Sequence, residues 1–147
     1  MKIICEEWPK FKEDAWQLML AHWAELTEGK EGQLDPNWPL YQQNFVADSL
    51  LSMSAREDGE MVGYIVGLLA RHPRKRTTLM MVVDAYYVIP EFRSKGVATE
   101  LFTCFATMSK LKGASRIYAG TRAKSNVHKL LEKLEYTEQE RYYMKVL

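Results

Sequence analysis

The run Asp84-Ala85-Tyr86-Tyr87-Val88-Ile89-Pro90-Glu91-Phe92-Arg93-Ser94-Lys95-Gly96-Val97-Ala98 joins two different periodicities. Before it, Leu79 to Ile89 is rich in Val, Tyr and Met and predicts a strand, which Pro90 ends. After it, Val97, Leu101, Phe102, Phe105, Met108 and Leu111 make an apolar stripe that predicts a helix from Gly96 to Lys112. Gly113 stands at its C-cap. A strand that passes through a short basic, glycine-bearing turn into a helix start is an anion cradle. The first amides of a helix have no partner within it, and the macrodipole is positive there. Gly96 has no Cβ to keep an anion away from the backbone, and Arg93 and Lys95 add charged donors. The turn therefore predicts a bound phosphate or pyrophosphate, and hence a nucleotide-bearing ligand. Its ligands would be the amides of Ser94, Lys95, Gly96, Val97, Ala98 and Thr99, with the side chains of Arg93 and Lys95. The Lys-Ser/Thr pair of a Walker A loop is absent.

Working outward, Lys2 to Glu6 predicts a short opening strand. Trp8, Phe11, Ala15, Leu18, Met19 and Trp23 recur at helical spacing, with Pro9 in the first turn. Glu25 to Asp35 carries Gly29 and Gly32 and predicts a loop. Asp35 is placed to cap a second helix that runs to about Ala47. Leu50 to Arg56 and Met61 to Ala70 predict strands about an Asp58-Gly59 hairpin, and Arg71 to Arg76 predicts a basic turn. Past the central helix, Arg116 to Gly120 predicts a strand. Ser125 or Asn126 caps a helix to about Leu134, and Glu138 to Val146 predicts a last strand. The order β-α-α-β-β-β-α-β-α-β is that of an α/β protein with a mixed sheet.

The chain has 147 residues, 47% of them hydrophobic, which fits one domain over 1–147 with a real core. Its 20 basic and 19 acidic residues nearly cancel, so any anion site is local and a general grip on nucleic acid is not expected. Arg71 to Arg76 is the sharpest basic run and is expected to be a solvated turn. Cys5 and Cys104 read as buried free thiols of a reducing compartment. No apolar run approaches a membrane span, and a soluble cytoplasmic protein is expected. His22, His72 and His128 lack metal-ligand spacing, and no metal is predicted.

The stretch from Asp84 to Ala98 resembles the central motif of the GNAT superfamily of N-acetyltransferases. In that family an arginine-x-x-glycine-x-glycine/alanine loop wraps the pyrophosphate of acetyl-CoA, and Arg93, Gly96 and Ala98 fall at that spacing. Val88, Pro90, Glu91 and Phe92 also match, and the element order agrees over most of the chain. The resemblance implies an acetyl-CoA-dependent N-acetyltransferase acting on an amine, such as a small amine, a polyamine- or aminoglycoside-like compound, or a protein amine. It implies that Tyr86 to Val88 lie on a strand that splays from its neighbour. The backbones of Tyr87 and Val88, with Asn126, would then hold the pantetheine arm.

Some family members carry a glutamate where this chain has Asp84, and there it takes the acceptor's proton through water. Asp84 is thus the candidate base. It is expected on the same strand face as Tyr86 and Val88 by the period of two, with an ordinary surface carboxylate as the alternative. The family often has a tyrosine, the donor to the leaving thiolate, where this chain has Leu131. Tyr87, Tyr118, Tyr142, Tyr143 or a water are left as donors, and the sequence does not choose among them. In the family the loop after the first helix helps form the acceptor pocket. Here it carries Glu25, Glu28, Glu31 and Asp35 between Trp23, Trp38 and Tyr41, which would suit a cation. A non-catalytic CoA-binding module is the second expectation, favoured by the missing tyrosine. A homodimer paired through Arg141 to Leu147 is left open.

Overall fold

The computed structural model describes residues 1–147. Its elements are β1 (Lys2–Cys5), α1 (Trp8–Thr27), α2 (Trp38–Val46), β2 (Leu50–Glu57), β3 (Glu60–His72), β4 (Lys75–Val88), α3 (Val97–Leu111), β5 (Arg116–Tyr118) and α4 (Val127–Lys133). One 3-10 turn, Pro90–Phe92, follows β4. The strands form one sheet in the order β1-β2-β3-β4-β5. The first four are antiparallel, and β4 and β5 are parallel, joined through α3. No helix is long and apolar enough to cross a membrane.

Each element has a local cause. Asp58 and Gly59 both have positive φ, at 50° and 87°, which is the backbone of the tight β2–β3 turn. Gly113 follows the last turn of α3, and its N–H bonds to the Lys110 carbonyl while Ala114 N–H bonds to Ser109. The second helix starts later than its sequence suggests. Asn37, not Asp35, is the N-cap, and its Oδ1 accepts from the Leu40 amide at 3.3 Å, with Pro39 in the first turn. The first helix continues to Thr27, so Glu25 lies on a helix rather than in a loop. The basic run is mostly strand: Arg71 pairs with Leu79, and His72 with Lys75, around a turn at Pro73 and Arg74.

The sheet is packed on both faces. One face carries α3 and α4, with Leu51, Met53, Ala55, Val62, Ile65 and Met81 against Leu101, Phe102, Phe105 and Leu131. The other carries α1 and α2, with Trp8, Phe11 and Ala15 against Tyr64, Val66 and Tyr87. Burying each such large side chain is worth about 1.5–3 kcal/mol. A second tie holds the start of α1 to β2. The Glu6 carboxylate accepts from Ser54 and, at 2.8 and 3.0 Å, from Arg56. Burial pushes the Glu6 carboxyl up, but these donors outweigh it and hold it below its ordinary value.

Two departures from expectation matter for the site. The register of β3 and β4 slips so that Val66 faces Ala85 while Gly67 faces Val83, and Asp84 is the extra residue of a β-bulge. The bulge breaks the alternation of side chains. Met81 and Val83 pack toward α3, as do Tyr86 and Val88, whereas Ala85 and Tyr87 pack toward α1. The last strand, Glu138 to Val146, does not form. Residues from Thr137 onward carry no regular structure, and Tyr142, Tyr143, Met144, Val146 and Leu147 are exposed. Three-residue β5 is the sheet's edge, and its outer side has no partner within the chain. Cys5 is exposed and Cys104 half-buried, both free, so the expectation of buried thiols fails for Cys5.

Phe105 crosses the sheet directly over Gly67. A Cβ on Gly67 would lie 2.4 Å from Phe105 Cζ and 2.9 Å from Met81 Sδ. Gly67→Ala is expected to cost about 1–3 kcal/mol, read as a fall in urea midpoint at unchanged slope. Adding Phe105→Leu should restore part of it. An unchanged midpoint in the single variant would contradict this packing.

Candidate active site

β5 pairs with β4 only over Met80–Arg116, Met81–Ile117 and Val82–Tyr118. Beyond Val82 the two strands part, and β4 continues to Val88 with β3 along one edge and nothing along the other. Ile89 donates its N–H to Val62 on β3 at 3.0 Å. By strand alternation the N–H and C=O of Val88 face the open side. Tyr86 reaches across this fork, and its hydroxyl donates to the Gly120 carbonyl at 3.1 Å while its ring meets Phe102 edge-on at 5.2 Å. From the sequence, Tyr86 to Val88 are expected on a splaying strand, with Tyr87 and Val88 holding the arm. The bridge that Tyr86 makes across the fork has no local signal in the sequence, since a tyrosine in a strand is so often a packing residue.

The mouth of the fork is the predicted turn. Ser94 has φ 61° and Gly96 φ 84°, and Gly96 is the N-cap of α3 without a side chain to cap it. The amides of Ser94, Lys95, Gly96, Val97, Ala98 and Thr99 make no backbone hydrogen bond. They open on a concavity of about 190 Å³ lined by Val88, Phe92, Arg93, Ser94, Gly96, Ala98, Thr99 and Leu130. A row of free amides at a helix start is an anion site by construction, and a non-glycine residue at positive φ there is a local strain held by its surroundings. The Lys95 ammonium stands over the Phe92 ring at 4.8 Å. Asn126 precedes α4 at an exposed position outside the concavity and makes no side-chain cap bond, whereas Ser125 Oγ accepts from the Val127 amide at 3.1 Å; the helix meets the concavity through Leu130.

Arg93 differs from the simple expectation of a phosphate ligand. Its Nε donates to the Val88 carbonyl at 2.8 Å, its Nη2 to Glu25 Oε1 at 2.6 Å, and its guanidinium lies 5.3 Å from the Tyr87 ring centre. Both partners of the ion pair are about half exposed, 44% for Arg93 and 47% for Glu25. Such a pair is worth about 0.2–1 kcal/mol.

Asp84 is on the opposite face from the one predicted, because the bulge shifts it. It projects toward α2, where the Tyr41 hydroxyl donates to Oδ2 at 2.7 Å. Oδ1 has no protein partner. Burial, and then the Asp84 carboxylate, push the Tyr41 phenol up, so it stays a donor. Tyr41 stacks on Trp8 at 4.8 Å, and Trp38 lies 6.0 Å from the same indole. Nearby, the Tyr64 hydroxyl and His22 Nδ1 are 2.7 Å apart, and His22 stacks on Tyr87 at 4.9 Å. Tyr87 donates to Glu25 Oε1 at 3.1 Å. Burial, then Glu25, push the Tyr87 phenol up as well. A cluster of aromatic hydroxyls with the carboxylates of Asp84 and Glu25 thus lies on the α1/α2 face, and the fork opens beside the α3 face. Of the named proton donors, Tyr118 stands at the fork's apex, Tyr87 points to Glu25, and Tyr142 and Tyr143 are exposed on the C-terminal segment. Leu131 is buried in the α3/α4 core.

With that geometry established, the sequence matches the model of the acetyltransferase (GNAT) family over residues 8–136. No curated protein matches it. Its fold is that of solved N-acetyltransferases. It is similar to a ribosomal-protein-alanine N-acetyltransferase from Brucella melitensis biovar Abortus 2308, at 18% identity, TM-score 0.68 and 100% of both chains. It is similar to the aminoglycoside N-acetyltransferase AAC(6')-Iy in complex with CoA, at 21% identity, TM-score 0.70, and 99% and 100% of the two chains. It is also similar to the aminoglycoside acetyltransferase meta-AAC0020 from an uncultured soil metagenomic sample, at 13% identity, TM-score 0.74, and 99% and 95% of the two chains. At these identities the likeness is one of fold.

The cluster around His22 has a pH signature. Burial lowers the His22 pKa from 6.5 to about 4. Between those values the unfolded chain holds a proton that the folded chain does not, so stability rises with pH across that window and levels off above it. Urea unfolding of the native chain is expected to show a loss of stability between about pH 7 and about pH 4.5. His22→Gln should remove part of that slope. Identical slopes in the two proteins would contradict a buried neutral His22.

Proposed function

The chain belongs to the acetyltransferase (GNAT) family, and from that premise we propose that it is an acetyl-CoA-dependent N-acetyltransferase acting on a primary amine, with residues 1–147 as one catalytic domain. The observation that carries this is the row of unpaired amides from Ser94 to Thr99 at the mouth of the β4/β5 fork. The cradle suits a pyrophosphate, Gly96 leaves its approach clear, and the open edge of β4 past Val82 offers a backbone to an extended amide-bearing arm. Acetyl-CoA supplies the acetyl group as a thioester.

The chain's own residues then divide the work. The amides of Ser94 to Thr99 hold the anion, with the Lys95 ammonium beside them. The Val88 backbone on the fork side lines up the arm. Asp84, with Oδ2 fixed by Tyr41, uses Oδ1 to draw a proton from the acceptor ammonium through water. The free amine attacks directly in a ternary complex, with no acyl-enzyme. The new C–N bond forms and the C–S bond breaks; the nitrogen sheds its remaining proton to water, and the thiolate takes one from water or from Tyr118, which water then reprotonates. The aromatic and acidic lining around Asp84 supports a cationic acceptor, and small amines, polyamine- or aminoglycoside-like compounds and protein amines share that chemistry.

A second reading is a non-catalytic CoA-binding module, favoured by the buried Leu131 where the family often has its tyrosine. It predicts CoA binding without turnover. The exposed Tyr142, Tyr143, Met144, Val146 and Leu147 support a homodimer in which this segment is covered.

Free-thiol release with acetyl-CoA, over a panel of an aminoglycoside, spermidine and an N-terminal peptide amine, tests the enzyme reading. Turnover with at least one is expected, and none across the panel would favour the binding module. Asp84→Asn should lower kcat by roughly 10²–10⁴-fold with CoA affinity unchanged. A wild-type kcat in that variant would remove the base assignment. Light scattering should give a dimer for the full chain and a monomer after truncation at Thr137, and a full-length monomer would contradict the pairing.

A further inference from the structure

We infer that Glu25 is a gate on the pyrophosphate subsite: it competes with the incoming anion for the Arg93 guanidinium and is displaced by it. This rests on the acetyl-CoA function proposed above and goes beyond it, since it concerns a residue on α1 that belongs to neither the cradle nor the catalytic pair.

Arg93 and Val88 both line the concavity on which the free amides open, and Arg93 Nε bonds the Val88 carbonyl at 2.8 Å, which sets the guanidinium at the concavity's edge. Part of that guanidinium is committed. Nε is bound to the Val88 carbonyl at 2.8 Å, and the face of the group rests on the Tyr87 ring. The edge that remains for an anion includes Nη2, and Glu25 Oε1 holds it at 2.6 Å. One donor edge thus faces two anions. The resident pair is half exposed on both sides, and water screens it and weakens its hold. A pyrophosphate seated on the helix start brings more charge and a geometry that a guanidinium matches with two parallel bonds. The exchange therefore runs toward the ligand.

What Glu25 keeps after the exchange is also visible. Tyr87 donates to the same Oε1 at 3.1 Å and is itself stacked under His22, so the phenol holds the carboxylate near the α1/α2 face. That is the face that carries Asp84 and Tyr41. Binding at the cradle thus leaves Glu25 without its cationic partner, held by Tyr87 on the α1/α2 face. Linkage makes the effect reciprocal, so a cation that neutralises Glu25 loosens its grip on Arg93 and favours the anion.

Isothermal titration of CoA and of pantetheine, which lacks the pyrophosphate, separates the alternatives. Glu25→Gln should bind CoA about two- to fivefold more tightly than the wild type, the range that an exposed ion pair allows, with no change for pantetheine. Glu25→Ala, which also loses the hydrogen bond, should show the same tightening, and thermal unfolding of both variants shows that they are folded. Equal or weaker CoA binding in both variants would overturn the gate and make the pair a structural brace. Tightening toward pantetheine as well would overturn it too, since the effect would not pass through the pyrophosphate. Absence of CoA binding by the wild type would instead contradict the acetyl-CoA function itself.

Discussion

Everything at the site depends on β4 having a partner along only one edge after Val82. In a sheet, an unpaired run of backbone is a liability, since it can pair with any other strand. Here it is short, it is bridged by Tyr86, and it leads through the Pro90–Phe92 turn to a helix start whose amides are also free. Two sets of unsatisfied donors, the strand edge and the helix end, therefore meet at one place. Water can satisfy both in the free protein, so leaving them unpaired costs little. An extended ligand with an anion at one end would satisfy both at once.

The bulge at Asp84 gives the two faces of this strand separate tasks. Without the extra residue, strict alternation would put Asp84 with Tyr86 and Val88 on the α3 face. With it, Tyr86 and Val88 stay beside the fork while Asp84 joins Tyr41 on the face of α1 and α2. In the proposed mechanism, a base on one face and a cofactor arm along the strand edge would let an acceptor arrive from the side opposite α3. The Glu25–Arg93 pair crosses between these territories, because Arg93 starts at the cradle and ends on α1.

Much of this was legible in the sequence, for physical reasons that differ by element. The stripe of α3 and the Asp58-Gly59 turn are local patterns, and the structure follows them. The turn and its free amides were legible because glycine, basic residues and a change of period coincide within a few positions. The face of Asp84 was not, since a bulge is set by the partner strand's register and leaves no local mark in β4. Glu25 begins a polar stretch that Gly29 and Gly32 mark as loop, while the backbone of α1 continues to Thr27. The final strand is the opposite case. Arg141 to Leu147 has the composition of a strand, yet a strand forms only where an edge receives it, and within one chain this segment stays exposed.

The most direct test follows backbone amide resonances of the isotope-labelled protein during titration with CoA. If the cradle and the fork hold the ligand, the largest shifts fall on Ser94 to Thr99 and on Tyr86 to Val88, with smaller ones near Glu25. An unchanged spectrum, or shifts confined to the basic hairpin at Arg71 to Arg76, would contradict the account.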